Sequence, residues 1–381
     1  MFAMLMNWMK ANKILPQISD TERQALEAGS IWIDGELFSG HPDFTRILAE
    51  NYNKLPPEEQ AFIDGPVEEL CRMIDRFEIG RTKRIPDDVL AFVKQTGMIF
   101  LIPKQYGGLA FSILGISTIL AKISAYNATV GTFVVIPNSL GAAELIKHYG
   151  TDAQKTAYLP KLASGEYVPC FGLTEPTAGS DAASIKADGL VFKDIDGETR
   201  IKLNFRKRYI TLAPIANLCT IACKLHDPQN LLGKGEDVGI TCVLVHEGTP
   251  GFTHGDHHDP IGDPFYNGPL IGTDVIVPVK NIIGELDGAG QGWRMLMEQL
   301  AGGRMVSLPA GAIGGAKAVA AVTSPYSMVR QQFGIAIGRM EGVEDKVGKI
   351  AALSYMLEGA RIFGCSAVDS GQQPPVVSAI M

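Results

Sequence analysis

Cysteine is sparse in this chain, basic residues are outnumbered, and no long apolar stretch is free of polar groups. Each shortage closes off a class of protein. Six cysteines in 381 residues (Cys71, Cys170, Cys219, Cys223, Cys242 and Cys365) are too few for a disulfide scaffold. Their apolar surroundings suit buried free thiols in a reducing compartment. Cys219 and Cys223 have a zinc-like spacing but no second pair beside them, so packing is expected there and no metal site. Lys and Arg number 34 against 41 Asp and Glu, a formal charge of -7, with no basic stripe to track a phosphate backbone. Nucleic acid is therefore not an expected partner. The charge-free stretch Ala125 to Ala143, within the longest such run of the chain, contains Asn127, Gly131, Pro137 and Asn138, which are costly in lipid, and is not read as a membrane span. The opening MFAMLMNWMK has no basic stretch before its apolar run and no small-residue cleavage site, so a secretory signal is not expected.

What is present is an ordinary folded composition, 46% hydrophobic and 20% charged, long enough for two or three folded units. Glycine is the one high count, 42 residues. Residues 1–50 show no lasting period and read as an irregular extension. Residues 51–165 read as a helical domain of five or six helices: Val67, Leu70, Cys71 and Ile74 recur at helical spacing, and Thr151-Asp152 is a cap signal. Residues 166–288 break into short β-prone stretches separated by turns such as KDIDGET. Helical periodicity returns over 289–381, with a break expected at Ser324-Pro325. The fold class is therefore α+β: an N-terminal helical domain, a central antiparallel β-barrel or sandwich, and a C-terminal helical bundle. The bundle reads as incomplete, because VVSAIM at Met381 looks like the start of a further helix.

The segment richest in chemistry is CFGLTEPTAGSDAASI, Cys170 to Ile185. Thr174, then Gly179-Ser180-Asp181 on a turn leaving a strand, gathers backbone and hydroxyl donors suited to the edge of a heterocycle or to a pyrophosphate. As spacing alone the string is weak, and an ordinary strand-to-loop turn accounts for it equally well. HGDHHDP (His254 to Pro260) lacks a second ligand cluster and reads as a solvated turn. GAIGGAK (Gly311 to Lys317) follows no strand and reads as close helix packing.

CFGLTEPTAGSD closely resembles the signature of the acyl-CoA dehydrogenase family. Further blocks match in order: IPKQYGG (Ile102 to Gly108), HYGTDAQKTAYLPKLASGE (His148 to Glu166), KRYIT (Lys207 to Thr211), DVIVPVKNIIGE (Asp274 to Glu285), GQGWRMLMEQL (Gly290 to Leu300) and RQQFGI (Arg330 to Ile335). The resemblance covers about residue 55 onward. Within the family, GPVEEL, PNSLG, GRMEGVED and DTERQALEAG are most similar to the large bacterial fatty-acyl-CoA dehydrogenases of β-oxidation.

The resemblance implies FAD as cofactor and oxidation of a fatty acyl-CoA to trans-2-enoyl-CoA, with an acyl-CoA oxidase or a non-catalytic binding relative as alternatives. It implies that Phe171, Leu173, Thr174, Gly179 and Ser180 lie along the flavin, with Ser180 also on the acyl-CoA side. Tyr209, Ile210 and Thr211 match a flavin-contacting W-I-T triplet, tyrosine standing for tryptophan. Arg304 matches a CoA-side arginine. Arg330, flanked by Gln332 and Phe333, matches an arginine that reaches FAD across a subunit contact, so a homo-oligomer is implied. An H-Q pair of the family is replaced by Met340 and Glu341. The family's proton-abstracting glutamate is expected past Met381, and Gly303 occupies the alternative position, so the catalytic residue is left unassigned. Glu175 and Glu298 read as poor substitutes. An electron-transfer flavoprotein is the implied acceptor. Location is expected to be cytoplasmic, with peripheral contact at the inner membrane through the apolar N-terminus.

Overall fold

A computed structural model describes the chain except for residues 1, 15–17, 20–22, 25–26, 28, 99–101, 140 and 381 and the side chains of 2, 300–305, 375, 378 and 379. Part of the DTERQALEAG stretch lies outside the described residues. The first fifty residues are more ordered than their patterning suggests. They contain helices α1 (Phe2–Ala11), α2 (Ile33–Phe38) and α3 (Phe44–Leu48). Asp43 caps α3 by accepting from the backbone N–H groups of Thr45 and Arg46.

Among its described residues the helical domain has eight α-helices rather than five or six: α4 (Pro57–Asp64), α5 (Pro66–Met73), α6 (Arg76–Thr82), α7 (Asp87–Gln95), α8 (Ile113–Tyr126), α9 (Ala128–Val135), α10 (Ala142–Tyr149) and α11 (Asp152–Ala163). The extra ends come from residues that break a helix and cap the next one. Asn127 leaves helical geometry at φ -156, and its side chain accepts from the Val130 N–H, which separates α8 from α9 inside one apolar run. Gly65 with Pro66 at the first helical position divides α4 from α5. Thr151 and Gln154 form the capping box of α11. Helix α8 is the spine: Ile116, Ile119, Leu120 and Ile123 are fully buried. Each such side chain contributes about 1.5–3 kcal/mol.

The central sheet has seven strands: β1 (Pro169–Gly172), β2 (Asp188–Lys193), β3 (Thr199–Thr211), β4 (Leu218–His226), β5 (Asp237–His246), β6 (Phe252–His254) and β7 (Asn267–Pro278). The expectation of an antiparallel sheet is corrected here, because the sheet is mixed. β4 runs parallel to both β1 and β2, and antiparallel to β5. Chain order explains this: β1 joins β4 only after β2 and β3 have been laid down, so neither is joined to β4 by a hairpin. The remaining pairs, β2 with β3, β3 with β7 and β6 with β7, are antiparallel.

After α12 (Glu285–Gly288), helix α13 (Gly292–Val329) runs straight through Pro309 and Pro325. The break expected at Ser324-Pro325 does not occur. Packing along α8 and α14 (Glu341–Asp369) outweighs the hydrogen bond each proline removes. The turn falls instead at a two-stranded hairpin, β8 (Gln331–Gln332) with β9 (Ile335–Ala336). Arg361 and Lys317 both pair with Glu358, and the Arg361 Nη1 donates to Thr118 Oγ1 at 3.2 Å, tying α8, α13 and α14 together. Val306–Val329 is long and apolar enough for a membrane span by length and composition. Its Lys317 is nonetheless committed to Glu358, and it is a bundle helix. A short α15 (Pro375–Ile380) packs back on α13.

Candidate functional site

β1 delivers Phe171 and then a loop, Leu173 to Ser180, whose shape is fixed by a buried ion pair. The period-two alternation of β3 puts Ile201, Leu203, Phe205 and Lys207 on the inward face, and all four are buried. A lysine at such a position needs a counter-charge. Glu175 supplies it: the Lys207 Nζ lies 2.6 Å from Glu175 Oε1 and donates to the Leu173 carbonyl at 3.1 Å. The same carboxylate accepts from the backbone N–H groups of Lys186 at 2.6 Å and Ala187 at 3.0 Å. Burial pushes the Glu175 carboxyl up, but the Lys207 hydrogen bond and the two backbone donors outweigh it and hold it below its ordinary value. Burial likewise brings the Lys207 ammonium down against the pull of Glu175. Gly172 leaves room for this arrangement, since a Cβ there would stand 3.0 Å from Ile221 and 3.3 Å from the Lys207 stem.

One residue further along β3, the Arg208 N–H donates to the Thr174 carbonyl at 3.0 Å, and this joins the 171–180 loop to the Tyr209–Thr211 segment. The pairing of β3 with β7 shifts register between Lys207 and Ile210, and Tyr209 takes a left-handed φ of +59. The ring is thereby turned outward, 56% exposed, with the Arg208 guanidinium 4.1 Å above it and His258 edge-on at 5.2 Å. Ile210 is buried and Thr211 half-buried. Leu173 and Thr174 are half-buried, while Gly179 and Ser180 are exposed at the loop tip.

The hydroxyls of Thr174, Ser180 and Thr211 make no hydrogen bond among the described residues. A Cβ built on Gly179 meets nothing within 4 Å. Thr174 and the Tyr209–Thr211 segment, joined through Arg208, thus offer free hydroxyls and an exposed aromatic face, and the loop tip adds the Ser180 hydroxyl and the open backbone at Gly179; this donor set fits the edge of a flavin.

Phe171 opens the way to a cleft. It lines a small cavity with Leu145, Leu296, Ser139, Glu144 and Gln299. Through the last three it continues into a larger cleft of about 460 Å³ between the end of α9, α10 and α13, which Tyr149 and Glu298 also line. Burial pushes the Glu298 carboxyl up, but hydrogen bonds from Tyr149 and from Arg294 (Nε at 2.7 Å) outweigh it and hold it low. Burial, reinforced by Glu298, raises the Tyr149 hydroxyl to about 12. Glu144 is also held low, burial being outweighed by His148 and Lys147. None of these three carboxylates, Glu144, Glu175 or Glu298, has the raised proton affinity that suits a general base at neutral pH.

The remaining residues singled out from the sequence lie apart. Arg330 caps the end of α13, and Gln332 and Phe333 belong to the β8–β9 hairpin, all exposed, with Phe333 at 95%. Among the described residues no hydrogen bond or ion pair joins this hairpin to the 171–180 loop. The Arg304 side chain lies outside the described residues. Lys207 was not singled out from the sequence; the signal for it was a lysine falling on the buried register of a strand.

Three domain profiles match the chain in order: acyl-CoA dehydrogenase N-terminal domain over residues 57–166, middle domain over 170–275 and C-terminal domain over 290–381. The chain belongs to the acyl-CoA dehydrogenase family. An acyl-CoA dehydrogenase of Bacillus subtilis is 30% identical over 273 residues, 71% of this chain and 68% of that protein. A probable acyl-CoA dehydrogenase of Mycobacterium tuberculosis is 29% identical over 351 residues, 91% of this chain and 52% of that protein. The bovine mitochondrial very long-chain specific acyl-CoA dehydrogenase is 29% identical over 310 residues, 81% of this chain and 46% of its own length. The chain thus spans about half the length of the latter two. Among solved acyl-CoA dehydrogenase structures, butyryl-CoA dehydrogenase from Megasphaera elsdenii superposes with a TM-score of 0.75 at 26% identity, covering 86% of this chain and 84% of that one. PigA with FAD and proline shares the fold, with a TM-score of 0.74 at 21% identity over 87% of this chain and 83% of that one.

Proposed function

We propose that this chain forms the flavin- and thioester-facing part of an FAD-dependent acyl-CoA dehydrogenase that oxidises a fatty acyl-CoA to trans-2-enoyl-CoA, the first step of fatty acid β-oxidation. The observation that carries the reading is the meeting of the 171–180 loop with Tyr209–Thr211 beside the cleft lined by Phe171. FAD, when bound, supplies the two-electron acceptor. Thr174, Gly179, Ser180 and Thr211 would hold its edge by hydrogen bonds, and Leu173, Tyr209 and Ile210 would frame its ring system. Phe171, Leu145 and Leu296 form an apolar wall of the inner cavity, and contact with that wall would strengthen polar interactions beside it. Arg304 would meet the CoA phosphates, as a guanidinium fork suits. The proton acceptor is proposed to be the glutamate that the resemblance puts past Met381.

Arg330, Gln332 and Phe333 would serve the cofactor of a second copy. The exposed Tyr326, Met328 and Val329 beside them support a homo-oligomer. An electron-transfer flavoprotein is the proposed acceptor. The proposed location is the cytoplasmic face of the inner membrane, supported by exposed Met4, Leu5, Met6 and Trp8 on α1, by Lys10 and Lys13, and by the lack of any acidic residue before Asp20.

An anaerobic titration with palmitoyl-CoA of the FAD-reconstituted chain, and of a chain extended past Met381, tests the reading. The expected result is a flavin band in both and bleaching only in the extended protein. Bleaching of the 381-residue chain would put the base inside it. No bleaching in either would make the protein a non-catalytic relative, and peroxide formed in air after bleaching would make it an oxidase.

A further inference from the structure

β1 and β4 run side by side in parallel with Cys170 opposite Cys219, and both thiols are fully buried. Their Sγ atoms are 3.3 Å apart, Cys170 donating to Cys219. Neighbouring strands lie about 4.8 Å apart, inside the roughly 4.4–6.8 Å Cα separation that a disulfide spans. The Nε2 of His254 in β6 stands 4.0 Å from the Cys219 Sγ. The site is therefore two apposed thiols with an imidazole beside one of them.

We propose that Cys170 and Cys219 are a dithiol site that a hydroperoxide oxidises to a disulfide inside the sheet. The surroundings divide the work between the two sulfurs. The hydrogen bond from Cys170 brings Cys219 down to about 7 against its burial, with His254 assisting and Glu247 opposing. The same hydrogen bond, with burial, raises Cys170. Burial pushes the other internal thiols up, Cys71 to about 11 and Cys223 and Cys242 to about 12, so Cys219 stands out as the nucleophile.

The chemistry balances in two steps. His254 takes the Cys219 proton; the thiolate attacks one peroxide oxygen, an S–O bond forms, the O–O bond breaks, and the departing hydroxide recovers that proton as water. The Cys170 sulfur then attacks the sulfenic sulfur, the S–S bond forms, the S–O bond breaks, and hydroxide leaves with the Cys170 proton as a second water. The two thiols give up two electrons, and the peroxide O–O bond takes them.

Access is through β1, which is four residues long and pairs with β4 alone, so a local opening admits a water-sized oxidant. Closing the sulfurs from 3.3 Å to about 2.05 Å pulls β1 toward β4 one residue before Phe171, the residue that lines the cleft. The proposal is independent of whether the chain carries FAD.

Dilute hydrogen peroxide on the folded chain, followed by acid quench, alkylation in denaturant and peptide mass mapping, decides it. The expected result is a Cys170–Cys219 cross-linked peptide with the other four cysteines alkylated, and full alkylation again after dithiothreitol. With Cys170→Ser, whose hydroxyl can still donate to Cys219 but cannot form a disulfide, Cys219 should be trapped by dimedone as a sulfenic acid. With His254→Gln the cross-link should still form but roughly tenfold more slowly at neutral pH. Full alkylation of all six cysteines in the peroxide-treated wild-type chain, or a cross-link between another pair, would overturn the proposal without reference to any variant.

Discussion

The 171–180 loop and the 330–336 hairpin carry the two sets of residues proposed to serve the flavin, and they are built in opposite ways. The loop is held by groups of its own chain: Lys207 on the Leu173 carbonyl, Arg208 on the Thr174 carbonyl, and the Glu175 carboxylate locked by an ammonium and two backbone donors. The hairpin is held at its base by α13, while Phe333 at its turn is 95% exposed and reaches left-handed φ at +55. A pre-organised half needs nothing further to present its donors. The other half displays an apolar group, Phe333, and a cationic one, Arg330, to solvent, the kind of display that suits contact with a second surface.

The largest effect should come from breaking the loop's support. Lys207→Met leaves Glu175 buried without its counter-charge and should cost about 3–5 kcal/mol in chemical denaturation, as for other buried pairs cut on one side. Glu175→Gln combined with Lys207→Met should recover much of that loss. A single-variant cost below about 1 kcal/mol would mean that the pair does not hold the loop.

A smaller effect is expected from acid on the helices behind the hairpin. Burial works to raise the Glu358 carboxyl, but Arg361 and Lys317 bring it from 4.5 to about 2. Because the folded value is the depressed one, the stabilisation is complete above pH 4.5 and fades as pH falls toward about 2. The denaturation midpoint of the wild-type chain should therefore fall more steeply over that window than that of Glu358→Gln, and parallel curves would contradict the assignment. The smallest effect on the chain's own stability, within about 0.5 kcal/mol, is expected for Phe333→Ser, since an exposed side chain away from the core loses little. Sedimentation of the same variant should show weakened self-association, and unchanged association would detach the hairpin from any interface.

The order of helical and β segments was legible in the sequence because periodicity changes sharply near Gly165 and again near Gln291. The loop was legible through its resemblance to a family signature. Strand direction was not, because alternation along β1 and β4 says which face is buried but not which strands become neighbours. Helix number was not, because Asn127 and Gly65 end helices inside apolar runs. Nor was helix α13 beyond Pro325, where packing along α8 and α14 overrides a local breaker. Lys207 stood in plain alternation with Ile201, Leu203 and Phe205, and that register alone calls for a buried partner.

The most direct test of the contrast between the two halves is an FAD titration of the 381-residue chain at a dilution where sedimentation shows it monomeric. It should be compared with Thr211→Val and Arg330→Ala at that dilution and at high concentration. Loss of the Thr211 hydrogen bond should weaken binding about threefold to tenfold at both concentrations, while Arg330→Ala should weaken it only where the chain associates. An Arg330→Ala loss that is already complete in the monomer, with Thr211→Val silent, would contradict the account.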